Sequence, residues 1–225
     1  MTALAIDLEG PDRARAVLEA VAQTGYCAFP TGQTYEEFLA FCEALGEVFH
    51  ISEVKIGGPR PRAYQRADEI PYHTDHISAE VAVWYCFQPE PTGNEMRLID
   101  LAGIAARMEA RELAALGRAT THIRKPEHGV WEEGHIPVYQ AEDGRQRFHY
   151  VDWADPDCPD AEAREAVAAF KRHLREAMEG AVVEADLQPG DALFIDNNRI
   201  LHGRRALPSD SKRHLKRIWI RGALS

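Results

Sequence analysis

Short runs of strand-forming residues, separated by turn signals, recur through most of the chain and constrain its fold more than any other feature. Each run is rich in β-branched and aromatic residues, which favour strands over helices. The runs are residues 26–30, 79–88, 96–100, 136–140, 147–151, 182–184, 192–195 and 217–221. An Asp-Gly pair at 143–144 separates two of them and is typical of a hairpin. This pattern predicts a mainly β fold with flanking helices, in which two antiparallel sheets pack as in a jelly roll.

Four segments carry the signals of helices that can cover such sheets. Apolar residues recur at helical spacing within residues 11–24, 102–117 and 159–179. Thr34 predicts the start of another helix, because Glu37 three residues later completes a capping box.

The length, charge and cysteine usage of the chain limit its roles. With 225 residues, the chain can build one sizeable core, so we expect residues 1–225 to form a single domain. A net charge of −10 argues against nucleic acid or an anionic membrane as the main partner. We see neither a signal peptide nor an apolar stretch that could span a bilayer. The four cysteines are widely spaced, which fits reduced thiols and a cytoplasmic location.

A metal-binding hypothesis rests on three residues. His73 and Asp75 are two positions apart, and on a strand this spacing places both side chains on one face. His202 is our candidate for the third ligand, just after the strand that contains residues 194–195. Two histidines and one carboxylate on one face of an ion are typical of non-haem Fe(II) oxygenases. Such a site leaves positions open for a bidentate co-substrate and dioxygen.

Two arginines near the C-terminus are candidates for binding a carboxylate beside this ion. On strand spacing, Arg213 and Arg217 point to the same side. A guanidinium can hold a carboxylate by two parallel hydrogen bonds, so it could anchor a dicarboxylate whose other end chelates the metal. The alternative interpretation is a solvated basic segment.

Several residues near these motifs allow both a functional and a structural interpretation. Residues 56–72 are polar and lack periodicity, which fits either a segment that covers the substrate or a plain surface loop. Within it, Asp68 and Glu69 could pair with a cationic group of a substrate or simply be solvated. Trp131, in a glycine-flanked loop, is a further candidate for substrate contact. His76 alternates onto the opposite face of the strand, where we expect a supporting or core role.

In order and spacing, these motifs resemble the taurine dioxygenase / clavaminate synthase-like family of Fe(II)- and 2-oxoglutarate-dependent oxygenases. The matching segments are residues 73–75, 93–100, 187–197, 199–204 and 213–217. The resemblance implies a double-stranded β-helix (jelly roll) in which His73, Asp75 and His202 hold the iron.

The resemblance also implies co-substrates and further roles. Arg213 would hold the distal carboxylate of 2-oxoglutarate, and Arg217 would lie near the co-substrate or hold an anionic group of the substrate. Related halogenases lack the carboxylate ligand, so Asp75 favours hydroxylation or another oxidation. The chain departs from the family at Met96, where a threonine often binds 2-oxoglutarate, because a thioether cannot donate a hydrogen bond.

The sequence therefore predicts a dioxygenase that uses Fe(II), 2-oxoglutarate and O2 to oxidise an unactivated C–H bond, releasing succinate and CO2. The expected substrate is a small polar molecule. The resemblance to the family suggests an amino acid or a derivative in secondary metabolism. Hydroxylation, desaturation and cyclisation all remain open. One alternative is a non-haem iron enzyme of the same fold that does not use 2-oxoglutarate. Another is a catalytically silent β-barrel binding protein, which the complete triad and both arginines disfavour.

Overall fold

A computed structural model describes residues 12–57, 62–91, 95–123, 134–142 and 144–224. The helices are α1 (Arg13–Thr24), α2 (Tyr35–Leu45), α3 (Leu101–Ala105), α4 (Ala110–Leu116) and α5 (Ala161–Gly180). The strands are β1 (Tyr26–Pro30), β2 (Glu47–Lys55), β3 (Ile70–His73), β4 (Val81–Gln88), β5 (Met96–Asp100), β6 (Thr120–Ile123), β7 (Gly134–Pro137), β8 (Tyr139–Glu142), β9 (Arg145–Phe148), β10 (Val183–Ala185), β11 (Asp191–Asp196), β12 (Ile200–Arg204) and β13 (His214–Arg221).

Two antiparallel sheets form the framework of the molecule. The larger sheet has the strand order β1-β11-β4-β13-β2, and the smaller has the order β10-β5-β12-β3. Their facing sides share one core, to which the larger sheet contributes Trp84, Leu193 and Trp219 and the smaller contributes Leu98 and Ile200. The predicted jelly roll, mainly β with flanking helices, is confirmed.

Helices cover the outer face of each sheet, because both faces of a sheet with apolar side chains on both sides must be buried. Helices α1 and α2 pack Val21 and Phe38 against the larger sheet. Helix α5 packs Phe170 and Leu174 against Leu201 of the smaller sheet. Phe38 and Phe170 are completely buried, so truncating either to Ala should cost about 3–5 kcal/mol.

Strand β4 illustrates how this layering follows from sequence. Its residues from Val81 to Cys86 are all buried, because the strand lies in the middle of the larger sheet and both of its faces are covered. Val83 and Tyr85 face the helices, whereas Trp84 and Cys86 face the smaller sheet. The sequence of a strand that is covered on both faces is a continuous run of apolar residues, without the alternation of apolar and polar residues seen in a half-exposed strand.

The predicted start of α2 is confirmed at the level of individual hydrogen bonds. The Glu37 amide donates to the Thr34 hydroxyl at 3.4 Å, and the Thr34 amide donates to the Glu37 carboxylate at 2.9 Å. Each bond satisfies an amide that the first turn leaves without a partner. The expected hairpin is also found, since β8 and β9 pair in antiparallel register from Tyr139–Phe148 to Glu142–Arg145.

Four strands depart from the sequence-based expectation. The segments of β2 and β6 carried no strand prediction, and β3 includes residues 70–72 of the segment that we expected to be a loop. Pro71 discourages a strand, but β3 is at the edge of its sheet, where a missing amide is tolerated. His202 was expected just after a strand and instead lies inside β12.

No helix within the described ranges is long and apolar enough to cross a membrane. The four cysteines are free thiols, and Cys86 is completely buried, as expected. Burial raises the pKa of Cys27 to about 12 and that of Cys86 to about 11. These two thiols are therefore protonated and unreactive near neutral pH.

Candidate active site

The structure brings together the three residues of the metal-binding hypothesis. His73 ends β3, and His202 is its direct cross-strand partner on β12. The Nε2 atom of His73 lies 3.8 Å from Oδ1 of Asp75, and that of His202 lies 3.7 Å from Oδ2. Within the described part of the chain, these three residues form the one group of three or more potential ligands whose ligand atoms converge, all within 4.8 Å.

A glycine allows the two histidine-bearing strands to approach each other. Gly203 follows His202, and a Cβ atom at this position would lie 2.7 Å from the Ile70 carbonyl oxygen of β3. Any larger residue would force β12 away from β3. Asp75 lies two residues beyond the end of β3, so its carboxylate reaches the histidines from a loop and not from the continuous strand that we expected.

Hydrogen bonding orients one imidazole for metal binding and burial keeps the other neutral. His73 Nδ1 donates a hydrogen bond to the Pro71 carbonyl oxygen at 2.9 Å, which directs Nε2 towards Asp75. Burial lowers the pKa of His202 well below its usual value, which keeps the ring neutral. Two imidazole nitrogens and a buried carboxylate match the donor set of a divalent transition-metal ion.

The Asp75 carboxylate is fixed by two donors on β13. Arg217 donates from Nη1 to Oδ1 at 2.5 Å, and Trp219 donates from Nε1 to Oδ2 at 2.9 Å. Burial alone would raise the pKa of Asp75, but Arg217, the two histidines and the indole N–H outweigh it and hold the pKa below its usual value. Asp75 is therefore an anion held in one orientation.

Asn197 fixes the backbone around this carboxylate. Its Oδ1 accepts a hydrogen bond from the Asp75 amide at 2.7 Å. Its Nδ2 donates to the carbonyl oxygens of His76 and Ala79 at 3.1 and 2.9 Å. Neither Asn197 nor Trp219 had an expected role. Trp219 had a usable signal, since it lies two residues after Arg217 and so shares a strand face with it.

Both predicted arginines are buried and line the same cavity as the triad, but Arg213 lies just before β13 and not on the strand that the spacing argument assumed. Arg213 is 3% exposed, and burial together with Arg204 lowers its pKa to about 10, so it remains a cation. Its Nη2 lies 3.3 Å from the Met96 sulfur. Arg217 packs against Tyr64, with 4.9 Å from the guanidinium carbon to the ring centre.

The cavity has a volume of about 670 Å³, within the range of roughly 300–1,000 Å³ typical of small-molecule sites. Beside the triad and the arginines, its wall includes an aromatic side chain, Trp153, and polar groups from Glu69, Thr121, His122 and His149. Such a mixture of apolar wall and a few polar groups suits a small polar molecule.

One wall of the cavity is a segment that pairs with β3. The Thr74 amide donates to the Tyr150 carbonyl oxygen, and the Asp152 amide donates to that of Tyr72. His149 belongs to this segment, and burial with the nearby His76 and His73 lowers its pKa to about 4. Its Nδ1 lies 3.3 Å from the Thr74 hydroxyl.

The remaining candidates fall into three groups. His76 is buried against Trp219, with ring centres 5.5 Å apart, which agrees with a supporting role. Asp68 is exposed and does not line the cavity. Trp131 and the 93–94 part of the family motif lie outside the described residues.

Comparison with known proteins places these residues in context. The profile described as "Taurine catabolism dioxygenase TauD, TfdA family" matches residues 3–219. No curated protein sequence matches the chain significantly.

Solved structures of similar fold include two oxygenases. Asparagine oxygenase (AsnO) superposes with a TM-score of 0.73 at 15% identity, covering 94% of this chain and 78% of that one. The non-haem iron oxygenase OrfP, in complex with Fe and α-ketoglutaric acid, superposes with a TM-score of 0.72 at 18% identity. That match covers 94% of this chain and 80% of OrfP. At these identities, the likeness demonstrates the shared fold.

Proposed function

The chain belongs to the TauD, TfdA family of dioxygenases, and from this premise we propose that His73, Asp75 and His202 bind Fe(II). The protein is an Fe(II)- and 2-oxoglutarate-dependent dioxygenase. The observation that carries the assignment of residues is the convergence of two histidine Nε2 atoms on one fixed carboxylate at the wall of the cavity. When bound there, iron and 2-oxoglutarate supply the oxidising power to attack an unactivated C–H bond, with release of succinate and CO2.

The protein's own contribution to this site is rigidity. The Pro71 carbonyl oxygen fixes the tautomer of His73, and Arg217 with Trp219 fixes both oxygens of Asp75. Ligands held in this way lose little conformational freedom when they bind a metal. A carboxylate that already fills one position also favours hydroxylation or another oxidation over halogenation.

Arg213 is the proposed anchor for the distal carboxylate of 2-oxoglutarate. It is a buried cation at the wall of the cavity that also holds the triad. A guanidinium can meet a carboxylate with two parallel hydrogen bonds. Arg217 is already committed to Asp75, so its proposed role is to orient the metal ligand beside the co-substrate.

Met96 gives the co-substrate site an unusual neighbour. Its sulfur contacts Arg213, at the position where the family resemblance leads us to expect a threonine hydroxyl. The thioether packs against the guanidinium but donates no hydrogen bond. We infer that Arg213 carries a larger share of 2-oxoglutarate binding in this chain than in relatives with the threonine.

The proposed substrate is a small polar molecule, with an amino acid or a derivative as the favoured class. The cavity has a suitable size and a mixed polar and apolar wall. AsnO has been crystallised with a hydroxyasparagine and succinate, and OrfP with a hydroxyarginine and succinate. These complexes support an amino acid as the class of substrate to test first.

We also propose that residues 1–225 form one catalytic domain in the cytoplasm. The shared core between the two sheets supports a single domain, because each sheet buries its inner face against the other. The free thiols support a reducing compartment.

Succinate production tests this function. Purified protein with Fe(II), O2 and 2-oxoglutarate should form succinate, and a panel of free amino acids should contain one that stimulates the turnover. The same mixture without O2 should develop a visible metal-to-ligand absorption band. Absence of both succinate and the band would contradict the proposed use of 2-oxoglutarate.

A further inference from the structure

Arg204 lies on β12 two residues after His202, lines the cavity and has no part in the proposed iron chemistry. We propose that Arg204 is a positioning residue that couples the binding of 2-oxoglutarate to the docking of the 62–69 segment, which contributes Tyr64 and Glu69 to the cavity wall. The proposal rests on the proposed function and adds to it a connection between the co-substrate and one wall of the cavity.

The guanidinium of Arg204 holds this segment by its backbone. Arg204 is 2% exposed and donates to the carbonyl oxygens of Arg66 and Asp68 at 2.5 and 2.8 Å. Arginine presents its donors in a rigid planar fork, so one side chain can bridge two acceptors. Hydrogen bonds from a charged donor are also stronger than those between neutral groups. Arg204 therefore ties the segment to the strand that carries His202.

The other backbone contacts that hold the segment are few. The Gly57 amide donates to the Gln65 carbonyl oxygen at 3.0 Å, and the Leu207 amide donates to that of Ala67 at 2.7 Å. None of the described side chains of the segment is buried. A segment with few hydrogen bonds and little buried apolar surface opens locally at low free-energy cost. Its docking therefore depends strongly on Arg204.

Docking of the segment sets the position of Tyr64. A single turn of 3-10 helix, Ala63–Gln65, carries this side chain at the cavity wall. The Tyr64 ring lies over Arg217, with 4.9 Å from the guanidinium carbon to the ring centre. Arg217 in turn donates to the Asp75 carboxylate. The segment thus connects Arg204 with the cavity wall beside a proposed metal ligand.

Arg204 also lies beside the proposed co-substrate anchor. Met96 is its direct cross-strand partner on β5, so the two side chains are neighbours on the inner face of the smaller sheet. The Met96 sulfur lies 3.3 Å from Nη2 of Arg213. Arg204 and Arg213 are therefore both neighbours of one thioether, and both are almost completely buried.

Two buried guanidinium groups near each other are repelled, because little water screens their charges. The groups that accept hydrogen bonds from Arg204 are neutral carbonyl oxygens. A dianion such as 2-oxoglutarate brings negative charge to both cations when its distal carboxylate meets Arg213. Its binding therefore favours the state in which Arg204 stays buried and holds the segment. By linkage, the docked segment favours the binding of 2-oxoglutarate by the same factor.

Amide hydrogen exchange measures the docking directly. The amides of Gly57 and Leu207 report on it, because both donate to carbonyl oxygens of the segment. Exchange is followed by mass spectrometry on protein loaded with Fe(II) in the absence of O2, with and without saturating 2-oxoglutarate. We expect 2-oxoglutarate to slow exchange in the peptides that contain these two amides about tenfold, a usual size for the coupling between two sites.

Matched variants assign the coupling to Arg204. Arg204→Met keeps a long apolar side chain but removes the charge and both donors, so 2-oxoglutarate should slow exchange less than about twofold, although the visible absorption band still forms. Arg204→Lys keeps the charge without the planar fork and should retain part of the effect. Arg205→Gln is the control, because Arg205 is exposed, pairs with Glu184 and lies outside the cavity wall. It should behave as the wild type.

Three results would overturn the proposal. They are unchanged exchange in the wild type although the visible band forms, equal slowing in the wild type and in Arg204→Met, and an equal loss of slowing in Arg205→Gln. The first result needs no variant, so it applies even if Arg204→Met fails to fold. A missing band would overturn the proposed function and the coupling with it, whereas a band without slowed exchange would overturn the coupling alone.

Discussion

The Arg217 guanidinium lies 2.5 Å from the Asp75 carboxylate, and both side chains are buried. This ion pair connects the proposed metal ligand to β13, the strand that also carries Trp219. Because desolvating two charges is costly, such a pair needs good geometry and further hydrogen bonds. Here the indole of Trp219 and the hydroxyl of Ser52 supply them.

Replacing Asp75 with Ala should abolish hydroxylation, because the change opens a ligand position and leaves Arg217 buried without its carboxylate. Removing one partner of a buried ion pair costs about 3–5 kcal/mol, so unfolding should be measured beside product formation. Asp68→Ala removes an exposed carboxylate nearby and should leave activity unchanged. Hydroxylation retained by folded Asp75→Ala would mean that the carboxylate ligand lies elsewhere.

Replacing Arg213 with Ala should raise the concentration of 2-oxoglutarate needed for turnover by roughly 100-fold, the size expected for losing a buried charged contact. Binding of Fe(II), measured by equilibrium dialysis without O2, should change little. Arg213→Lys keeps the charge but loses the planar fork and should give an intermediate result. An equal loss of iron and co-substrate binding would contradict the assigned role.

Replacing Met96 with Thr should restore a hydroxyl donor and lower the KM for 2-oxoglutarate about three- to tenfold, which corresponds to one hydrogen bond. Met96→Val is the matched control, because valine has the shape of threonine without its hydroxyl. The comparison of the two variants removes the effect of the lost thioether packing. If both variants have the same KM, another group already supplies this donor.

Stability of the metal-free protein should fall as the pH is lowered through the range in which His149 titrates. The folded pKa is about 4 because of burial and the nearby His76 and His73, whereas an unfolded histidine titrates near 6.5. The unfolded chain therefore binds more protons between these values, and His149 contributes up to about 1.4 kcal/mol per pH unit. This stabilisation is complete above the unfolded pKa and is lost as the pH falls through the folded pKa.

Urea unfolding between pH 4.5 and 7 measures this effect. His149→Gln should have a flatter dependence of unfolding free energy on pH than the wild type. Identical slopes for the two proteins would mean that His149 is not the group that takes up the proton.

Much of the framework was predictable because it depends on local chemistry. The capping box of Thr34 and Glu37 and the hairpin around Gly144 are set by residues close in sequence, and both form as expected. Strand β4 was evident because burial on both faces requires an uninterrupted apolar run.

The missed parts depend on partners that are distant in sequence. Strand β3 contains Pro71 and β12 contains Gly203, and both residues disfavour strands locally. Pairing between these two strands outweighs that preference, and the glycine is needed for their close approach. Asp75 lies near the histidines as expected, but not because it alternates along a strand with His73. The residue lies beyond the end of β3, and Asn197 holds its backbone there.

A crystal structure of the protein with Fe(II) and 2-oxoglutarate, grown without O2, tests the central assignment most directly. Anomalous scattering at the iron edge should place one ion within coordination distance, about 2.0–2.2 Å, of His73 Nε2, His202 Nε2 and a carboxylate oxygen of Asp75. The distal carboxylate of 2-oxoglutarate should meet the Arg213 guanidinium. An iron peak away from these three side chains, or a co-substrate that leaves Arg213 untouched, would contradict the account.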